Sequence, residues 1–273
     1  MHRVPLVLIL VTAGLCAEDA REIVRKSVEL DQTNWLRMKD YTWTARSAER
    51  HLDSRGQMKS EDREAWETLI FDGQPYRRML ERHGAPLSPA EQRKEQEKLD
   101  KSVAKLQRET PGQKQHRLAE YEKDRRRERE FLREIPDAYD LRLKEEKQVD
   151  GRTVWVIAGT PRPEYRARTR DAKALSKIRG ELWVDQKTYQ WVRLEAETVD
   201  TISFGLFLAR LNPGAKLVFE QARVNDDLWL PRRMLMRGTG RLGLVKKIAM
   251  EDEIDWSNYR KFQVDSRIVD NRE

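Results

Sequence analysis

The residue types that commonly carry catalysis are scattered in this 273-residue chain. Its four histidines are His2, His51, His83 and His116. None belongs to the i, i+4 pair or the mixed His/Cys cluster of a zinc site. Acidic pairs such as Asp226-Asp227 are abundant among 47 acidic residues, so none stands out as the facing carboxylates of a glycosidase. No nucleophile elbow or phosphate loop occurs. We therefore expect no metal or cofactor, and a non-enzymatic protein rather than a hydrolase.

The densest charge cluster is the basic run Lys123–Arg129. Nucleic-acid binding needs an uncompensated basic stripe, whereas acidic residues such as Glu120, Glu128 and Glu130 lie within one or two helical turns. The net charge of +7 arises from 54 basic and 47 acidic residues that are finely interspersed. The pattern favours a solvated, salt-bridged helix and no nucleic-acid partner, and it leaves contact with anionic lipid headgroups open as a less favoured use.

The strongest structural signal is the segment Gly180–Glu197, where two β-branched and aromatic runs flank the polar residues 185–188. In its second run, apolar Val192 and Leu194 alternate with charged Arg193 and Glu195, which predicts a sheet with one apolar and one charged face. Such a face either packs a core or holds an apolar ligand. The candidate acyl-pocket residues are Trp155, Leu182, Val184, Val192, Leu194, Phe204, Phe207, Phe219, Met234, Met236 and Met250.

Similar alternation predicts about ten strands in sequence-adjacent hairpins. The predicted strands are 40–53, 65–71, 76–82, 139–149, 152–160, the two runs of 180–197, 216–224, 228–237 and 242–256. The glycines of Arg237-Gly-Thr-Gly-Arg241 predict a tight turn. The apolar run Ile202–Leu211 has two interpretations, a buried helix that plugs the barrel mouth or an apolar lip that touches lipid.

Two helical regions accompany the strands. Residues 18–38 have an amphipathic pattern, with Val24, Val28 and Trp35 at helical spacing. Residues 88–133 predict a helical hairpin inserted between strands, because Ser88-Pro89 is a helix start and Thr110-Pro-Gly112 interrupts the pattern. The predicted fold class is α+β: a strongly curved antiparallel sheet, or half-open β-barrel, covered by an N-terminal helix and carrying this insertion.

The N-terminus predicts export. A basic start is followed by the apolar run Val4–Leu15, and Ala17 suits a cleavage site, so residues 1–17 have the pattern of a signal peptide. The expected mature part is a single domain, residues 18–273, in the periplasm. Cys16 is the only cysteine, and its acylation as an outer-membrane lipoprotein is the less favoured alternative because Leu15 precedes it.

Three short motifs carry a family resemblance: Gly180-Glu-Leu-Trp-Val-Asp185 with Trp191–Glu195, Leu228-Trp-Leu-Pro231, and Ser257–Phe262. With the predicted signal peptide and curved hairpins, the chain resembles the periplasmic outer-membrane lipoprotein-sorting carrier superfamily. The resemblance implies a half-open barrel that shelters the acyl chains of a lipid or lipoprotein. The alternative is an envelope interaction module that docks a partner protein through its helical hairpin.

Overall fold

A computed structural model describes residues 19–204, 209–225, 228–243 and 246–261. Its α-helices are α1 (Ala20–Arg37), α2 (Pro89–Gln107), α3 (Pro111–Glu130) and α4 (Ile135–Ala138). Its strands are β1 (Tyr41–Leu52), β2 (Met58–Phe71), β3 (Gln74–Arg82), β4 (Ala85–Pro86), β5 (Tyr139–Val149), β6 (Arg152–Pro161), β7 (Ile178–Asp185), β8 (Trp191–Thr198), β9 (Ile202–Phe204), β10 (Ala209–Leu211), β11 (Lys216–Asn225), β12 (Leu228–Leu242) and β13 (Lys246–Lys261).

These strands form one antiparallel sheet of 13 strands in the described part of the chain. Most neighbours in the sheet are consecutive in sequence, as expected for hairpins, and β13 pairs with β1 to join the two ends of the chain. The strand order runs from β4 at one edge to β5 at the other, and the two edges do not pair, so the sheet is not closed. The predicted α+β class, with an open antiparallel sheet and helices, is confirmed.

Helix α1 provides the main core contact with the sheet. Asp19 caps the helix through its carboxylate, which accepts a hydrogen bond from the Arg21 backbone N–H. Ile23, Val24 and Val28 point to one side and are buried against strand residues of β6, β7 and β8. Polar side chains occupy the outer side, as the sequence periodicity predicts. We call the side of the sheet that meets α1 the helix face.

The predicted insertion is a pair of helices between β4 and β5. Both helices begin with a proline and a capping box: Ser88 with Glu91 in α2, and Thr110 with Gln113 in α3. The sequence predicted ion pairs along α3, and Lys123 does pair with Glu120 at 3.2 Å. The prediction is wrong for Arg129, which pairs instead with Asp31 of α1.

On the opposite face of the sheet, strands β1, β2 and β13 carry an ion-pair ladder. Arg50 on β1 donates to Glu61 on β2 at 2.8 Å and to Glu251 and Glu253 on β13, both at 3.0 Å. Opposite charges on directly paired strands stabilise a sheet. The one-sided character predicted from residues 180–197 therefore extends to the strands around β13. We call this side the charged face.

The turn predicted at Arg237–Arg241 is wrong, because these residues lie inside the long strand β12. Their glycines serve close packing rather than chain reversal. A Cβ atom on Gly238 would lie 2.7 Å from the Cβ of Ala215, and one on Gly240 would lie 2.2 Å from the backbone oxygen of Arg210. Glycine within a strand often marks such a close approach of another backbone.

The ends of the apolar run 202–211 are the short antiparallel strands β9 and β10, and β10 pairs with β12. These ends are therefore not helical, and the interpretation of the run as an apolar lip stays a prediction. The last strand extends to Lys261, beyond its predicted end at 256. The predicted signal peptide with Cys16, the apolar residue Phe207 and the acidic pair Asp226-Asp227 lie outside the described residues.

Candidate functional site: an apolar strip on the helix face

Helix α1 covers one part of the helix face. There Trp155, Leu182, Leu194 and Phe219 pack against the cluster formed by α1 with Ile157, Val184 and Trp191. This cluster lies on strands β6, β7, β8 and β11. It consists of well-packed side chains and accounts for the docking of the helix, so these residues form core in this structure.

The same face continues onto β12 and β13. Directly paired residues of antiparallel strands point to the same side of a sheet. Phe219 pairs with Met234, and Met234 pairs with Ile254, so the register carries the helix face from β11 to β13. Two residues further along each strand, Met236 pairs with Asp252. The helix face thus extends past the residues that pack against α1.

We call this extension the apolar strip. Its residues are Leu217, Met234, Met236, Ile248, Met250, Ile254 and Trp256. All are half-buried. Flexible methionine side chains on a half-buried surface can adapt to irregular apolar shapes. The strip therefore has the composition of a surface that accommodates an apolar ligand of variable shape.

Aromatic rings join the covered core to the strip. The ring centroids of Trp191 and Phe219 are 5.3 Å apart, and those of Phe219 and Trp256 are 5.9 Å apart. These distances and tilted arrangements lie in the favourable range for aromatic pairs. Phe219 therefore contacts both the α1 cluster and the strip, and it makes one continuous apolar surface of them.

The carboxylate of Asp252 interrupts the part of the strip that lies beyond the α1 cluster. Asp252 pairs with Met236 on β12 and with Glu49 on β1, which places it on the helix face among apolar neighbours. Burial raises the pKa of Asp252, the negative charge of Glu49 raises it further, and His51 opposes the shift. The protonated form of Asp252 is thus favoured more in the folded protein than in the unfolded chain.

The structure brings most of the predicted pocket residues to one face. Trp155, Leu182, Val184, Leu194 and Phe219 lie in or against the α1 cluster, and Met234, Met236 and Met250 lie on the strip. Val192 lies elsewhere, because it is an extra residue at a break in the β7–β8 register and packs with Val154 and Trp229. The side chain of Phe204, like all of Phe207, lies outside what the structure describes.

Sequence reasoning left four residues of the strip out of the candidate set: Leu217, Ile248, Ile254 and Trp256. Trp256 and Ile254 share the face of Met250, and the alternation of apolar and charged residues along 248–256 carried that signal. Asp31 was also missed. This buried carboxylate of α1 accepts hydrogen bonds from Trp191 Nε1 at 2.9 Å and Gln221 Nε2 at 3.0 Å, and it holds the helix on the sheet. No local pattern distinguishes it from the other acidic residues of a charged helix.

The described residues contain no group of three or more His, Cys, Asp or Glu side chains that could hold a metal ion. His83 Nδ1 lies 2.9 Å from Asp62 on the protein surface, far from any apolar site. Within the same residues, no helix is long and apolar enough to span a bilayer.

Several solved structures are similar to this chain over most of its length. One is a domain described as an outer membrane lipoprotein-sorting protein from Vibrio parahaemolyticus, with 14% identity, 90% of this chain and 95% of that chain covered, and a TM-score of 0.37. Another is a DUF1329 family protein from Desulfovibrio piger, with 16% identity, 91% and 95% coverage, and a TM-score of 0.33. A third is a LolA superfamily protein from Nitrosomonas europaea, with 13% identity, 89% and 93% coverage, and a TM-score of 0.30.

No family model matches the chain, and no curated protein matches it either.

Proposed function

We propose that the protein is an exported, non-enzymatic binding protein of the periplasm that holds an acyl chain of a lipid or lipoprotein against the apolar strip. The observation that supports this proposal best is the register of β11, β12 and β13. It places Met234, Ile254 and Trp256 on one half-buried face, continuous with the core through Phe219.

The strip supplies a physical basis for binding. Each methylene group removed from water contributes about 0.8 kcal/mol, so a chain of ordinary length needs only partial burial to bind with useful affinity. Methionines let the surface follow a mobile hydrocarbon chain. The apolar run 4–15 with its small residue at Ala17 supports export, and acylated lipoproteins travel through the compartment that we propose for the protein.

Native mass spectrometry tests the proposal directly. The mature chain from Glu18 is purified without detergent, and its mass is recorded before and after organic extraction. We expect additional mass that leaves as phospholipid, fatty acid or acylated peptide, and uptake of a fluorescent fatty acid by the extracted protein. A protein that carries no lipid and takes up no fluorescent fatty acid would contradict acyl-chain binding and favour the interaction-module alternative.

The interaction-module alternative assigns partner docking to α2 and α3. Deleting the whole insertion does not separate the two functions cleanly, because Arg129 of α3 pairs with buried Asp31 of α1. Substitutions of exposed residues on the outer side of α2 leave the Arg129–Asp31 pair in place. A partner protein lost from such variants, with lipid uptake unchanged, would support docking through the insertion.

A further inference from the structure

A second site lies between the C-terminal half of α1 and α3, away from the apolar strip. It is a cavity of about 440 Å³. Its cationic lining residues are Lys123, Arg125, Arg126, Arg127, Arg129 and Arg133. A single carboxylate, that of Glu130, joins them in the lining, together with the apolar side chains of Trp35 and Leu36. The cavity therefore has a strong excess of positive charge.

Arg125 is the central residue of this site. It is only 5% exposed, and its guanidinium lies 5.2 Å from the ring centroid of Trp35. Its amino groups donate to Tyr121 Oη at 3.2 Å and to the backbone oxygen of Trp35. Neither acceptor is a carboxylate. Burial of a cation without an opposite charge is costly, and a bound anion would offset that cost.

Four residues of the cavity lining each carry a buried donor atom. Arg125 Nε, Arg129 Nε, Trp35 Nε1 and Gln32 Nε2 are all buried and have no acceptor among the described residues. Buried donors are normally satisfied, so four unsatisfied donors in the lining of one cavity are unusual.

Three of the other cationic lining residues have partners among the described residues, and two do not. Arg129 is neutralised by Asp31, Lys123 by Glu120, and Arg133 donates to Gln32 Oε1 at 2.8 Å. Arg126 and Arg127 are exposed and have no carboxylate partner within the described part of the chain. Two free guanidinium groups beside a buried one suit a phosphate group, which accepts several charge-assisted hydrogen bonds.

We propose that this cavity binds the phosphate group of an anionic phospholipid headgroup at a membrane surface. The apolar side of the cavity favours a lipid over free phosphate, because Leu36 is 40% exposed at its lining. Basic side chains next to an exposed apolar residue form the usual combination for interfacial contact. The site is independent of acyl-chain binding on the strip, since α3 supplies most of it and the strip lies on β11 to β13.

The test compares two double variants with the same change in net charge. Arg126→Gln/Arg127→Gln removes both rim cations, whereas the control Lys94→Gln/Lys101→Gln removes two exposed cations from α2, outside the cavity lining. Binding is measured by co-sedimentation with vesicles of phosphatidylcholine, with and without phosphatidylglycerol. We expect the wild type to bind only the anionic vesicles, and the rim variant to bind them roughly thirtyfold more weakly, at about fivefold for each charge removed.

Other outcomes overturn the assignment. Equal loss in the rim variant and the control variant would show non-specific attraction. Competition by inorganic phosphate as strong as by short-chain phosphatidylglycerol would assign the cavity to free phosphate. Failure of the wild type to bind anionic vesicles would contradict a headgroup site, whatever the fatty-acid uptake of the strip. Circular dichroism of each variant checks that the fold is retained.

Discussion

The carboxylate of Asp31 accepts a hydrogen bond from the indole Nε1 of Trp191 at 2.9 Å and thereby joins α1 to the middle of the sheet. The same carboxylate accepts from Gln221 Nε2 at 3.0 Å and pairs with Arg129 of α3. Asp31 is 3% exposed. One buried side chain thus connects the covering helix, two strands and the inserted helices.

Replacing Asp31 with alanine should lower the free energy of unfolding by about 3–5 kcal/mol, because it leaves Arg129 and two neutral donors buried without their acceptor. The measurement is urea denaturation followed by tryptophan fluorescence. Glu29→Ala is the control. Glu29 forms an exposed i, i+4 pair with Arg25, so this substitution should lower the free energy of unfolding by less than about 1 kcal/mol. Equal effects of the two substitutions would refute the linking role of Asp31.

Local chemistry made the helices and most strands predictable. Ser88-Pro89 and Thr110-Pro111 begin helices through capping boxes that are visible in the sequence. Alternation along 180–197 and 248–256 predicts both faces of the sheet, because side chains on a strand alternate strictly. These signals act over a few residues, so a single sequence is enough to find them.

Features that depend on distant neighbours were not predictable in this way. Val192 leaves the helix face because the β7–β8 register shifts by one residue, and nothing in its own strand signals that shift. Arg125 is buried because Trp35 and Tyr121 surround it, although its sequence context suggests a solvated helix. The candidate strip was predictable as an apolar face, whereas its boundary at Phe219 and the cationic cavity required the packing of α1 and α3.

The glycines of β12 give a prediction about packing. Gly240→Ala should destabilise the protein by about 1–3 kcal/mol, because the new Cβ would lie 2.2 Å from the backbone oxygen of Arg210, and a backbone atom cannot move aside easily. Gly112→Ala in α3 is the control. No atom lies within 4 Å of its Cβ position, so stability should be unchanged or higher by up to about 1 kcal/mol. Urea denaturation of both variants measures these changes in stability. An unchanged denaturation midpoint for Gly240→Ala would contradict the close approach of β10 to Gly240.

Asp252 gives a prediction about pH. Burial and the charge of Glu49 raise its pKa in the folded protein, so the ionised form destabilises the fold. This destabilisation is present above the folded pKa and disappears as the pH falls through it. Asp252→Asn should therefore raise the Tm at pH 7, and its advantage over the wild type should vanish below the ordinary pKa of an aspartate. Thermal unfolding of both proteins, from pH 7 to below the ordinary pKa of an aspartate, measures this difference in Tm. An unchanged or lower Tm of Asp252→Asn at pH 7 would place Asp252 in a solvated position.

The most direct prediction about the strip uses neighbouring residues of β12 on opposite faces. Met234 lies between Phe219 and Ile254 on the strip, whereas Leu235 pairs with Glu253 on the charged face. Met234→Gln keeps the size of the side chain and adds a polar amide, so affinity for a fluorescent fatty acid should fall by roughly tenfold or more. Leu235→Gln adds the same amide outside the strip and should leave the affinity within about twofold.

This pair is a sharper test than a charge at Leu194, since Leu194 packs against the α1 cluster and its replacement would weaken the core itself. Fluorescence titration gives the affinities, and the denaturation midpoints of both variants show whether the fold is equally retained. If both variants keep wild-type affinity, the acyl chain does not lie on the strip. If both variants lose affinity equally, the loss reflects a general disturbance of β12 and not contact of the acyl chain with the strip, because Met234 and Leu235 lie on opposite faces of that strand.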